Sequence, residues 1–169
     1  MIENLPNIFA VISYNYTNTW QRLYGKNFPD VKPYFIHGKL GKHNLVLGTG
    51  ETLSHELESS HTECASFKKF FQRVKYRLGN CYHITDDNRN TKWQVIIYGH
   101  SLDPTDKDSL RWLLGEDQNH RFNLSKVIIY YYDEKSYNQQ IANTIQIIGK
   151  EALINNVRSG KLIFEPIPK

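Results

Sequence analysis

Cysteine is scarce in this chain of 169 residues, with only Cys64 and Cys81 present. Two are too few for the disulfide framework that staples a small secreted domain. The opening segment MIENLPNIFA has neither a basic stretch nor a following apolar one, so it does not read as a secretory signal. No apolar run approaches the roughly 18 residues that a membrane-spanning helix needs. Together these absences lead to the expectation of a soluble protein in the cytoplasm, with no membrane partner. His55, His61, Cys64, Cys81 and His83 cluster in sequence but match no standard zinc spacing. A helix between Cys64 and Cys81 would hold the two about its own length apart, so no metal site is expected. A Walker-type lysine loop is missing, and so is the G-x-S-x-G elbow of a nucleophilic serine, since Asp103 stands two residues beyond Ser101. Gly48-Thr49-Gly50 begins like a dinucleotide-binding loop, but Leu53 occupies the place of the third glycine, which leaves an ordinary turn.

What is present suits a folded chain. Hydrophobic residues make up 40% and charged residues 22%, which excludes disordered and fibrous classes, and the length suits one domain spanning residues 1–169. The net charge of +4 gives a weak positive field that favours an anionic ligand without requiring one. Short β-branched and aromatic runs, at residues 9–13, 34–36, 45–47, 93–98 and 127–132, alternate with helix-period segments. That alternation predicts an α/β fold with a mainly parallel sheet and flanking helices. WQVIIY and VIIYYY, apolar throughout, predict central strands covered on both faces.

Four helices are expected. The first runs over 63–78, with Phe67, Phe70, Phe71, Val74 and Leu78 inward and Lys68, Lys69, Arg73, Lys75 and Arg77 toward solvent. The second is capped by Asp103, carries Pro104 in its first turn, turns Leu110, Leu113 and Leu114 inward and stops at Gly115. A third spans 137–148 on a stripe of Ile141, Ile145 and Ile148, and a short fourth follows Gly149 and ends near Gly160. The segments 54–62 and 85–92 are expected as the longest loops, and LIFEPIP as a strand stopped by proline.

In a parallel α/β sheet, ligands bind beyond the carboxyl ends of the strands, so polar residues directly after apolar runs carry functional weight. Asn15 and His37 each follow such a run. If their strands pair in parallel, an amide that orients a substrate and an imidazole that accepts a proton near neutral pH reach one crevice. The bland alternatives are a turn or helix cap for Asn15 and a satisfied buried histidine for His37. Gly99-His100-Ser101 places small residues and a hydroxyl before a helix, which suits phosphate or ribose oxygens, although plain capping by Asp103 competes with that reading. Asp133-Glu134 forms the fourth junction. The basic residues between Lys68 and Arg77 offer phosphate contacts, but a Lys/Arg-rich solvent face is their commoner meaning, so nucleic-acid binding there is the lesser reading.

At these junctions the segments VISYNYTNT, YFIHGKL, LVLGTGE, VIIYGHSLDPTDKD and VIIYYYDE, with QQIANTIQIIGKEAL, resemble the C-terminal part of the AbiH family of bacterial phage-abortive-infection proteins. That family in turn resembles sirtuin-like proteins, which bind NAD on a Rossmann-like sheet. The resemblance implies that NAD is the cofactor or substrate, with Asn15 at the sirtuin-like asparagine motif and His37-Gly38 at the catalytic histidine pair. Gly99 and Ser101 then match the later turn that contacts the cofactor, followed by Asp103, and Asp133 faces the adenine ribose. It implies a partial sirtuin-like domain that lacks the first glycine-rich strand-loop-helix, because only about eight residues precede the first apolar strand. A second subunit supplying that half and a phage component are the partners it suggests. No paired CxxC motif occurs, which tilts the implied chemistry from deacylation toward NAD hydrolysis. The alternatives are a non-catalytic sensing or interaction module and nucleic-acid binding through the Lys68–Arg77 face.

Overall fold

The computed structural model describes residues 7–48, 66–86, 91–117 and 123–168. The chain divides into two compact units, Met1–Ile84 and Thr85–Lys169. The first carries β1 (Val11–Ser13), α1 (Thr19–Leu23), β2 (Pro33–Phe35) and α2 (Lys69–Lys75), followed by a 3-10 turn (Gly79–Tyr82) and α3 (His83–Asp86), whose last residues belong to the second unit. β1 and β2 pair in parallel, with Val11 opposite Pro33 and Ser13 opposite Phe35. Between them the chain turns around Trp20, whose ring lies 5.2 Å from Tyr24 and 5.8 Å from Phe28 and whose Nε1 donates to Val31 O at 3.2 Å.

Two expectations for this unit need correction. The run 45–47 is not a strand, because side chains and a loop satisfy its backbone in place of a ladder. Val46 N donates to His37 O, Val46 O accepts from the Tyr16 hydroxyl, and Leu47 N donates to Gln72 Oε1. In α2 and the residues just before it the expected orientation fails in part: Lys68 and Arg73 are 8% and 6% exposed, whereas Val74 is 75% exposed and Phe67, Phe70 and Phe71 all stand open, while Lys75 and Arg77 face solvent as expected. Long aliphatic stems let lysine and arginine lie along apolar surface, and the Lys68 ammonium sits 5.9 Å from the Phe70 ring centre. The helix begins at Lys69, and the segments 54–62 and 63–65 lie outside the described residues.

The second unit is a β-α-β-α-β arrangement. β3 (Trp93–Ile97) leads through a 3-10 turn (Pro104–Asp106) into α4 (Lys107–Leu113), then β4 (Leu124–Tyr131), α5 (Glu134–Ile148), α6 (Lys150–Arg158) and β5 (Leu162–Pro166). The sheet order is β3-β4-β5, all parallel, so the chain has the α/β class that its alternation of runs predicts. VIIYYY takes the central place. WQVIIY pairs within this sheet with β4 alone, so its expected central position is not met there.

Side-chain alternation along the strands builds the core. Val127 and Ile129 of β4, Leu162 of β5 and Ile97 of β3 share one buried face, each contributing roughly 1.5–3 kcal/mol by leaving water. Tyr137 of α5 closes that face, with its ring 4.6 Å from Tyr131 and 5.6 Å from Phe164. β5 ends on Pro166, which has no N–H to give, and the ladder closes one residue later, where Ile167 N donates to Tyr131 O.

Candidate functional site

In the first unit the parallel register carries Asn15 and His37 past the carboxyl ends of neighbouring strands. The register continues beyond the strands, since Ile36 N donates to Ser13 O at 3.1 Å. Asn15 lies in a tight turn in which the Ser13 hydroxyl bridges the Asn15 N–H and C=O, and the residue is exposed. His37 is only 4% exposed. Its ring stands edge-on to Tyr14 at 5.3 Å and tilted to Tyr16 at 6.2 Å. The two residues therefore share one sheet end and differ in access. Gly38 follows with φ +78, and a side chain there would strike the backbone oxygen of Asn44.

In the second unit Gly99, Ser101 and Asp103 follow β3, and Asp133 follows β4. Gly99 takes φ +68 with nothing within 4 Å of the point where a side chain would begin. Ser101 is exposed, while the carbonyls of His100 and Ser101 turn inward to Gln140 and Asn143 of α5. The imidazole is structural in part: His100 Nδ1 accepts from Leu102 N at 2.9 Å, which holds Leu102 at φ +57, and its Nε2 lies 3.7 Å from Asp106 Oδ2. Both carboxylates after the strands serve as caps. Asp103 Oδ1 accepts from Thr105 N at 2.8 Å, and Asp133 with Ser136 forms a reciprocal capping box at the start of α5. The Ser136 backbone and hydroxyl donors hold the Asp133 carboxyl below its ordinary range.

This geometry stands on a chain whose residues 2–148 match the family model of bacteriophage abortive infection AbiH. The chain belongs to the AbiH family. Membership carries with it a role in phage abortive infection. No curated protein and no solved structure matches it.

Several parts of the AbiH site region escaped sequence reasoning. Gln140 and Asn143 sit mid-helix, and no motif marks their bonds to a turn some forty residues earlier. Tyr98, Tyr130 and Glu165 form a row across the ends of β3, β4 and β5, with the tyrosine rings 6.2 Å apart, and burial and the Glu165 carboxylate push the Tyr130 hydroxyl up. Only the cross-strand register reveals that row. Thr49, Gly50, His55, His61 and Cys64 lie outside the described residues. Among the described residues no three of His, Cys, Asp and Glu gather to hold a metal ion, and no helix is long and apolar enough to cross a membrane.

Proposed function

We propose that this AbiH-family chain acts in abortive infection by binding NAD or a related nucleotide at the strand ends of its second unit, and, as a separate proposal for the first unit, that Asn15 and His37 are a pair suited to hydrolytic chemistry. The observation that supports the reading best is the Gly99-Ser101 turn, where open space at Gly99 and the exposed Ser101 leave room for a ligand. Asp133 stays ionised, and the carboxylate oxygen that does not cap α5 suits a ribose hydroxyl. These residues fit the hydroxyl-rich ribose. Asp103 completes its own cap and adds negative charge nearby, so phosphate is assigned to none of them.

When bound, NAD supplies the glycosidic bond to nicotinamide that breaks. Within the first unit by itself, the exposed Asn15 would orient a water and His37 would take its proton, which requires the flanking Tyr14 and Tyr16 rings to open. Gly38 keeps the histidine's turn closed behind it. The test is nicotinamide release by the purified chain, with and without the product of an adjacent upstream reading frame that would supply a glycine-rich half. Release that disappears in His37→Ala while NAD binding persists supports the reading. Neither release nor binding in any combination sinks it.

The open apolar stripe of Phe70, Phe71 and Val74 on α2, with Phe67 just before it, favours a second reading, a module that pairs with an enzymatic subunit. In that case activity of the complex survives His37→Ala and is lost with Val74→Asp.

A further inference from the structure

The buried edge of α5 departs from what burial alone would select. Gln140, Asn143 and Thr144 face the protein interior at 3%, 5% and 0% exposure, whereas Ile145 on the same helix is 39% exposed. A helix packed only for stability fills such positions with aliphatic side chains, because a buried carboxamide costs free energy unless it is hydrogen-bonded. Here the bonds leave the helix for the strand ends. Gln140 Nε2 donates to His100 O at 3.0 Å and to Tyr130 O at 3.2 Å, and Asn143 Nδ2 donates to Ser101 O at 2.9 Å. Gln139 Nε2 fixes the sense of the Asn143 amide by donating to its Oδ1 at 2.9 Å. Gln140 Oε1 is buried with no partner among the described residues, a cost the fold accepts to keep the two bonds its nitrogen makes.

We infer that Gln139, Gln140 and Asn143 are positioning residues for the Gly99-Ser101 turn. They draw the carbonyls of His100 and Ser101 onto α5. Because the C=O and N–H of one planar trans peptide point in opposite directions, holding the His100 carbonyl inward turns the Ser101 N–H outward, beside its hydroxyl. The same constraint presents the Leu102 N–H to the His100 imidazole. α5 also begins on Asp133, so one helix sets the ends of both β3 and β4. The purpose of the turn rests on the NAD reading above, but its positioning by α5 does not.

Residue-resolved amide exchange on the full chain without NAD separates the two. Breaking either bond through Asn143→Leu or Gln140→Met is expected to speed exchange at Leu102 about five- to tenfold, the loss of roughly one hydrogen bond. The Ile128 and Ile129 amides of β4 should keep wild-type rates. Gln139→Ala alters an exposed side chain that folding tolerates, and it should give a smaller rise at Leu102. Unchanged Leu102 exchange in all three variants overturns the inference, as does β4 exchange that accelerates in parallel. With NAD added, a dissociation constant at least about fivefold weaker in Asn143→Leu supports a positioned turn that binds NAD, and equal affinity in wild type and variant, with Leu102 exchange raised, overturns NAD binding at this turn and leaves the positioning standing. Absence of binding to wild type removes the NAD reading and leaves the exchange result to decide the positioning.

Discussion

Gly38 shows how one residue constrains the first unit. Its φ of +78 and the Asn44 carbonyl against it leave no room for a side chain. Gly38→Ala is therefore expected to cost about 2–4 kcal/mol, read as a lowered urea midpoint with an unchanged slope. Asp133 makes a pH-dependent contribution. Its folded carboxyl titrates below the ordinary 3.8, so the stability it adds is complete above that value and is lost as pH falls through the lowered folded value. The stability gap between wild type and Asp133→Ala should narrow on acidification, and a constant gap would contradict the cap's charge dependence. Cys81 is buried, and desolvation pushes its thiol up to about 11, with the nearby Arg73 cation pulling weakly the other way. A thiol reagent at pH 8 should leave Cys81 unlabelled until the chain unfolds, as peptide mass spectrometry would show. The functional candidates were legible because polar residues after apolar runs stand out in sequence. The burial of His37 was one of the two readings its sequence position left open, and its 4% exposure agrees with that one; the Tyr14 and Tyr16 rings that flank it were not legible, since they depend on how those side chains turn once β1 and β2 pair.

At the scale of elements, local chemistry wrote some features plainly. Asp103, Pro104 and Gly115 bracket the 3-10 turn and α4, and Gly149 separates α5 from α6 as expected. What failed was the assumption that the apolar stripe of a helix faces inward. In α5 the inward edge is amide-rich because those amides have carbonyls to reach, which leaves Ile145 open and Ile147 buried. Ile147→Ala should thus cost about 2–4 kcal/mol. Ile145→Lys should stay within about 0.5 kcal/mol. Denaturant unfolding of the pair checks the orientation, and the reverse ranking would contradict it. The expected stripe of α2 misleads for a related reason: Lys68 and Arg73 carry enough aliphatic length to be buried where phenylalanine was expected.

For the whole molecule, the parallel α/β class could be read directly from the alternation of short apolar runs and helical periods. The order of strands could not, because pairing joins residues far apart in sequence and no local signal ranks β3 against β4. The AbiH resemblance, carried by ordered strand-end segments, connects this architecture to abortive infection. The central proposal is that the Gly99-Ser101 turn meets NAD. A titration of the isotope-labelled chain with NAD, followed by amide chemical shifts, tests it most directly. The Gly99 and Ser101 resonances should move together and saturate while those of Ile128 and Ile129 stay in place. Resonances at Gly99 and Ser101 that stay fixed up to millimolar NAD would contradict the account.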